Sequence, residues 1–127
     1  MKRARRDLER LRDILEAIAG VRRHQPATFE IFEADEVIRL YTLKQVEIIG
    51  EAVFKTTAEL KATHPQVPWN AIEKTRHVFV HDYFDIEWRK LWDVVTDHLE
   101  PLRTQVENIA AELERSAAES GDSPSQS

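Results

Sequence analysis

The residues of this chain that are best suited to chemistry lie together, between positions 75 and 84. Arg76, His77, His81 and Tyr83 offer a fixed cation, groups that titrate near neutral pH and a phenol, which suit a phosphodiester substrate. His81, with an unperturbed pKa of about 6.5, can accept a proton from a ribose 2′-hydroxyl or give one to the leaving 5′-oxygen. Arg76 can hold the non-bridging phosphate oxygens and stabilise the charge that grows in the transition state.

The placement of these side chains depends on the helix that carries them, which we expect to run from about Pro68 to about Tyr83. On an ideal helix Arg76 and His81 lie about 140° apart, so within one copy they do not point at the same atom. Convergence therefore requires a helix that ends or distorts before His81, or a second copy that supplies the missing group across a two-fold axis. His77 could then orient the phosphate or a histidine of the partner copy.

A structural interpretation of the same arginine is also open. Arg76 could pair with Glu47 or Glu51 on the preceding long helix, while the histidines are partly exposed and inactive. The Arg-x4-His pattern is weak when taken alone and favours this interpretation. Glu51 either reaches Arg76 and sets its geometry, or it is simply exposed at the surface.

A metal site is the third interpretation. His77 and His81 have the i, i+4 spacing of a helical zinc pair, and Asp85 follows one turn later. No third ligand is evident, and no glutamate follows His77 as it does in zinc proteases. The sequence therefore favours chemistry without a metal ion or another cofactor.

The elements that must position these residues are helical. The first amphipathic helix carries Leu8, Leu11, Leu15 and Ile18 and is expected to end near Gly20. Thr28 and Asp35 are expected to cap a short turn and a long second helix, which runs from about position 36 to Leu60. Gly50, in the middle of that helix, costs about 1 kcal/mol relative to alanine, which suggests the close approach of another helix.

The second half of the chain continues the helical pattern. Pro65 ends the second helix, Pro68 begins the third, and a break near Asp85 precedes a regular apolar series from Trp88 to Leu113. Pro101 is expected to begin a fifth helix or to kink the fourth. The sequence thus predicts an all-α, antiparallel bundle of four to five helices in residues 1–115, followed by a disordered, acidic, Ser-rich tail in residues 116–127.

The aromatic residues of the second half have two expected roles. Phe79 and Trp92 are predicted to lie in the core, whereas Trp69 and Trp88 could line an interface.

Composition narrows the cellular setting. The chain has no cysteine, no apolar run near the ~20 residues that span a bilayer, and no apolar export signal, so a cytoplasmic location is expected. The net charge of −5 is unfavourable for binding nucleic acid, although arginines concentrate in the first segment and could form a local basic patch.

Several short motifs occur in a fixed order along the chain. They are residues 45–52, residues 67–69, the Arg76-His77-x3-His81 element with its His81-x-Tyr83 extension, and the Leu-Trp and Leu-x-Pro-Leu pairs at positions 91–92 and 99–102. In this combination the chain resembles the HepT-like ribonucleases of the HEPN superfamily, from the first helix to about Ala110. The Arg-His element is the nuclease signature of that superfamily, and the His-x-Tyr extension is more specific to HepT proteins.

The resemblance implies properties that composition and spacing do not. It implies an all-α homodimer in which Arg76 and His81 of both copies meet in a composite cleft at the interface. It implies a metal-independent endoribonuclease that acts on RNA as the toxin of a toxin–antitoxin pair. The antitoxin would be an MntA-like nucleotidyltransferase that uses ATP to attach AMP to Tyr83, where the added group would occupy the position of the RNA phosphate. His77 stands where asparagine is commoner in HepT proteins.

The alternative to a ribonuclease toxin is a non-catalytic helical binding or regulatory subunit of a nucleotidyltransferase.

Overall fold

The computed structural model describes residues 2–77, 80–82 and 85–119, with side chains in residues 5–77 and 85–119. This part of the chain forms a helical bundle with one two-stranded antiparallel hairpin, which confirms the predicted all-α class. The described residues form four longer helices and three six-residue helices, more than the four or five that were predicted. In chain order the elements are α1 (Lys2–His24), α2 (Phe29–Ala34), α3 (Glu36–Lys55), α4 (Ala58–Thr63), α5 (Trp69–Lys74), β1 (Val80–Asp82), β2 (Asp85–Ile86), α6 (Trp88–Asp97) and α7 (Leu99–Glu119).

Two ion pairs show that α1 and α7 run antiparallel. Arg22, near the end of α1, bonds Glu100 at the start of α7 with Nε 3.2 Å from Oε2, and Arg12 approaches Glu114 near the other end at 3.9 Å. A hydrogen bond from Arg103, supported by Arg22, lowers the pKa of the exposed Glu100 carboxyl. The apolar faces of the helices pack inside, and the largest fully buried side chains are Phe32, Leu11, Ile14, Ile18, Ile49, Leu91 and Ile109.

The first helix does not end at Gly20, because α1 continues to His24. Gly20 instead permits close packing: a Cβ built there would lie 2.5 Å from the hydroxyl of Tyr41 on α3. At the other end of α1, the buried Asp7 accepts hydrogen bonds from the backbone N–H and Oγ1 of Thr57, at 2.9 and 2.6 Å. These two contacts show that α1 and α3 are antiparallel neighbours.

The predicted long second helix is divided in two. α3 ends at Lys55, and Thr56 adopts an extended backbone while its hydroxyl donates back to the carbonyl of Ala52 at 2.8 Å. Thr57 then caps α4 by accepting a hydrogen bond from the N–H of Leu60 at 3.3 Å. Two consecutive threonines therefore end one helix and begin the next, because their hydroxyls compete for backbone partners.

Two predicted N-caps are confirmed. Thr28 accepts a hydrogen bond from the N–H of Ile31 at 3.2 Å and begins α2. Asp35 accepts one from the N–H of Ile38 at 3.1 Å and begins α3. Both side chains satisfy a backbone donor that has no partner within the helix.

The predicted third helix from Pro68 to Tyr83 is wrong in its second half. α5 ends at Lys74, and residues 75–77 form a turn closed by i to i+3 hydrogen bonds. The chain then enters β1, which pairs antiparallel with β2. Valine favours strands over helices, and β1 begins at Val80, so local preference overrides the helical period at this position. Phe79, the predicted core residue, lies outside the described residues.

The last helices follow the predicted break. α6 ends at Asp97, and His98 separates it from α7. Pro101 lies in the first turn of α7, where its missing N–H costs nothing. α7 continues to Glu119, so residues 116–119 of the predicted tail are helical. Residues 120–127 lie outside the described part, and their disorder stays a prediction.

Three tryptophans connect these helices. Trp92 is buried and stacks near Phe32 with ring centroids 5.1 Å apart, which confirms its place in the core. Trp69 is also buried, and its indole N–H donates to the carbonyl of His64 at 2.9 Å, while Trp88 stays half-buried. Within the described chain, every helix is too short or too polar to cross a bilayer.

Candidate active site

Arg76 lies in the turn that follows α5, where it contacts α3. Its backbone N–H donates to the carbonyl of Glu73 at 3.3 Å, which holds the turn close to the end of the helix. The side chain is 23% exposed, so the guanidinium is held by neighbouring atoms but still reaches solvent. Three residues on α3 determine its position, namely Gly50, Glu51 and Phe54.

Gly50 provides the space that Arg76 occupies. A Cβ at this position would lie 2.9 Å from Cγ and 3.1 Å from the backbone nitrogen of Arg76, and 2.8 Å from Oγ1 of Thr75. Real Cβ atoms essentially never approach another heavy atom as closely as 2.9 Å. The close approach inferred from Gly50 in the sequence is therefore confirmed, but the partner is the turn that carries Arg76 and not another helix.

The aromatic ring of Phe54 packs against the guanidinium group of Arg76. The Cζ atom of Arg76 lies 4.0 Å from the centroid of the Phe54 ring, a cation–π contact. The phenylalanine is 51% exposed, which is unusual for a large apolar side chain. This contact holds the guanidinium against the face of the ring.

Glu51 orients the edge of the same group. Nη1 of Arg76 donates to Oε1 of Glu51 at 2.9 Å, and Nε donates to the carbonyl of Glu73 at 3.3 Å. Of the two alternatives for Glu51, contact with Arg76 is the one observed, and it is also the pairing that the structural interpretation of Arg76 expected. The other candidate, Glu47, makes no ion pair with Arg76 among the described residues. Among the described residues, the hydrogen bonds of the Arg76 guanidinium involve Nη1 and Nε and leave Nη2 without an acceptor.

The two histidines do not lie on one helix, although the sequence predicted that they would. His77 is exposed in the turn after α5, and His81 lies in β1. The helix thus ends before His81, which meets one of the two conditions that the sequence set for convergence with Arg76. The side chain of His81 and the whole of Tyr83 lie outside the described residues, so their predicted roles stay predictions.

The change from helix to strand also removes the geometric basis of the proposed zinc pair. The i, i+4 spacing of His77 and His81 brings ligands together only on a helix. Among the side chains that the structure describes, no three His, Asp or Glu residues are grouped as metal ligands.

Sequence reasoning missed Phe54 as a part of this site. The signal was present, because Glu51 and Phe54 are three residues apart and so lie on one face of a helix, directly after Gly50. The signal was not sufficient, because an aromatic residue on an amphipathic helix is more often part of the core.

The fold and the site define a class of protein: an all-α bundle that presents an oriented arginine beside an exposed histidine at the end of a short helix. Residues 14–109 match the family described as ribonuclease HepT-like. The chain therefore belongs to the HepT-like ribonuclease family, as the motifs indicated.

Individual relatives agree with this assignment. The chain is 32% identical over 110 residues to a protein of Thermococcus cleftensis named "Probable ribonuclease HepT", covering 86% of this chain and 98% of the relative. It is 32% identical over 96 residues to a "Putative RNase" of Caldanaerobacter subterraneus subsp. tengcongensis, covering 76% and 80%. A protein of Methanocaldococcus jannaschii with the same type of name is 28% identical over 107 residues, covering 84% of each chain. No solved structure matches the chain significantly.

Proposed function

We propose that this protein is a metal-independent endoribonuclease toxin of a toxin–antitoxin pair, with Arg76 and His81 as its catalytic residues. Membership of a ribonuclease family and the ribonuclease names of its relatives support the activity. The observation that carries the choice of residues is the fixed orientation of Arg76. An arginine that served only to join two helices would not need an exposed aromatic ring beneath it and an exposed edge.

The proposed reaction is an internal transesterification. A neutral His81 imidazole removes the proton from a ribose 2′-hydroxyl, and O2′ attacks the adjacent phosphorus. The bond from phosphorus to the 5′-oxygen breaks, and that oxygen takes a proton from a second, protonated histidine. Arg76 donates hydrogen bonds to the non-bridging oxygens, on which negative charge accumulates. The products are a 2′,3′-cyclic phosphate and a free 5′-hydroxyl.

The reaction needs two histidines, and a homodimer supplies them. We place the two-fold axis near Arg76 and Phe54, so that the cleft contains the Arg76–His81 element of each copy. The half-exposed Phe54 ring supports this position, because an apolar ring at the surface is stabilised when a second chain covers it. His77, exposed in the same turn, is close enough in sequence to orient the phosphate.

Regulation by the antitoxin follows from charge. An MntA-like nucleotidyltransferase would transfer AMP from ATP to the Tyr83 hydroxyl and release pyrophosphate. The new phosphodiester adds negative charge two residues from His81, so it repels the RNA backbone and occupies the place of its phosphate.

Cleavage of RNA in excess EDTA tests the activity. Wild-type protein should cut and leave 2′,3′-cyclic phosphate ends, while His81→Ala should be inactive and should keep the wild-type melting temperature. Full activity of His81→Ala, or activity that EDTA abolishes, would contradict the mechanism.

Subunit mixing tests the composite site. His81→Ala is expected to be inactive as a homodimer. When it is mixed with the wild-type protein and the two exchange subunits, each heterodimer has only one of the two histidines that the reaction needs, so cleavage should fall towards the square of the fraction of wild-type chains. Cleavage that falls only in proportion to that fraction, from a protein with the solution mass of a monomer, would exclude a shared cleft.

Incubation with the cognate nucleotidyltransferase and ATP tests the regulation. The peptide that contains Tyr83 should gain the mass of AMP, and the modified protein should lose activity. Tyr83→Phe should remain unmodified and active. AMP found only on Tyr41 would overturn the choice of tyrosine.

The acidic composition favours one alternative function. A net charge of −5 weakens attraction to RNA and suits a non-catalytic helical subunit that binds a nucleotidyltransferase. Unmodified protein that binds the transferase but cuts no RNA and harms no cells would support this alternative.

A further inference from the structure

A concave site lies on the side of α5 that faces α6 and α7. It is a partly open cavity of about 500 Å³, similar in volume to two other hollows on the described surface, of about 580 and 570 Å³. Packed protein interiors contain few voids larger than a water molecule, and cavities of some 300–1,000 Å³ are typical of small-molecule sites. Its lining, not its volume, distinguishes this cavity, because glutamate and aspartate side chains line both of the other hollows. Its apolar lining comes from four helices and includes Val46, Ile49, Ile72, Val94 and Leu102.

Lys90 provides the one charged side chain of the lining among the described residues. His98 also lines the cavity, and no aspartate or glutamate in the described part of the chain does so. This is notable in a chain with 23 acidic residues against 18 basic ones. The ammonium group of the exposed Lys90 has a half-buried ion-pair partner, Glu87, at 3.3 Å, but that carboxylate is not part of the lining.

The length of a ligand that fits the cavity can be estimated from the residues along one of its walls. Lys90, Val94 and His98 follow one another at intervals of four, so they lie along one wall, and α6 rises about 12 Å between the first and the last. An extended alkyl chain of about ten carbons has a similar length, with C–C bonds of ~1.5 Å. An apolar body of that length fills the cavity while its head group meets Lys90 at one end.

We propose that this cavity binds a small amphiphile with one anionic head group, such as a medium-chain carboxylate. Its body lies on Ile49 and Ile72, and its carboxylate is paired with Lys90. Thr75 also lines the cavity and directly precedes Arg76, so the ligand would contact the turn that holds the candidate active site. Binding does not depend on the proposed ribonuclease activity.

Calorimetry with octanoate below its micellar concentration is the direct test. The full-length protein should bind one octanoate per chain and should bind 1-octanol about threefold more weakly, because an exposed ion pair contributes little. In Lys90→Gln the two ligands should bind equally. Equal affinity for the two ligands in the wild-type protein would overturn the proposed role of the charge.

Filling the cavity tests its location. Ala71 is exposed on α5 and lines the cavity, so Ala71→Trp should weaken octanoate binding at least tenfold. Ala62→Trp, at an exposed position on α4 outside the cavity, is the matched control and should bind as the wild type does. Equal binding by the two variants would refute the site.

Two further measurements cover the remaining outcomes. If Ala71→Trp fails to fold, methyl NMR of the wild-type protein decides: octanoate should shift Val46, Ile72 and Val94 and leave Ile14 unchanged, and the reverse pattern would refute the site. If Ala71→Trp instead changes the solution mass, the cavity belongs to an interface with a second copy, and the ligand proposal is wrong.

Discussion

Gly50 and Arg76 are in direct contact, and the missing side chain of the first leaves room for the second. A Cβ on Gly50 would lie 2.9 Å from Cγ of Arg76, so the turn after α5 can rest on α3 only where α3 has a glycine. This contact brings the guanidinium within reach of Glu51 and Phe54 on the same helix.

The first prediction is that Gly50→Ala moves Arg76. Removing a glycine from a helix stabilises it by about 1 kcal/mol, while the steric overlap costs about 1–3 kcal/mol, so the net change in the free energy of unfolding should be small or destabilising. RNA cleavage should fall by an order of magnitude or more, because a misplaced arginine no longer meets the phosphate. Thermal melting and cleavage rates measure the two effects.

Gly20→Ala is the control for that substitution. It also adds a Cβ inside a helix at a close contact, 2.5 Å from the Tyr41 hydroxyl, but this neighbour is the end of a flexible side chain that can move away. Gly20→Ala should keep the wild-type cleavage rate. Equal loss of cleavage in both variants would mean that stability, not the position of Arg76, is the cause.

A second prediction concerns the ion pair. Glu51→Gln keeps an oxygen near Nη1 of Arg76 but removes the charge, and the carboxylate is 46% exposed, so stability should change by about 1 kcal/mol or less. Binding of RNA should strengthen, because the local negative charge is gone, while the cleavage rate of bound RNA should fall as the guanidinium loses its fixed orientation. Single-turnover kinetics separate the two effects.

Glu47→Gln, one turn earlier on α3, is the control for this substitution. It should strengthen RNA binding without slowing cleavage. The same slowing of cleavage in both variants would argue against a specific role of Glu51.

The third prediction is that Phe54→Leu slows cleavage and costs little stability. The ring is half exposed, and the cation–π contact that is lost is worth about 0.5–1 kcal/mol. Phe29→Leu is the matched control, because Arg89 lies over the Phe29 ring at 4.7 Å in the same type of contact, away from the candidate active site. Phe29→Leu should lower the melting temperature and leave the cleavage rate of the folded protein unchanged. If both variants cleave at the wild-type rate, the ring does not position Arg76.

The fourth prediction concerns the fold alone. Asp7 is buried and accepts two hydrogen bonds from Thr57, so Asp7→Ala leaves two donors without their partner. It should lower the free energy of unfolding by about 2 kcal/mol, measured by urea denaturation. Asp13→Ala removes a carboxylate that is 50% exposed and 3.6 Å from Arg10, and should change stability by less than about 0.5 kcal/mol. Similar losses in both variants would show that the Thr57 contact is unimportant.

Local signals in the sequence were sufficient for much of the fold. Thr28 and Asp35 cap helices as predicted, because a capping bond joins residues three apart and needs no distant partner. Pro101 lies in the first turn of α7, where a residue without an N–H is tolerated, and this preference also needs no distant partner. Gly20 was misinterpreted as a helix end, since a glycine that ends a helix and one that admits a distant tyrosine look alike in one sequence.

In the candidate site, too, local features could be predicted from the sequence and distant contacts could not. The sequence by itself determined the helical periodicity, the family motif and the types of residue available for chemistry, because these depend on neighbours a few positions apart. Only the tertiary structure decided that α5 ends before His81, that Phe54 supports Arg76 and that Glu51, not Glu47, orients it. Arg76 is 25 positions from Glu51 in the chain, and a contact over that separation forms only when the packing of whole helices brings the two side chains together.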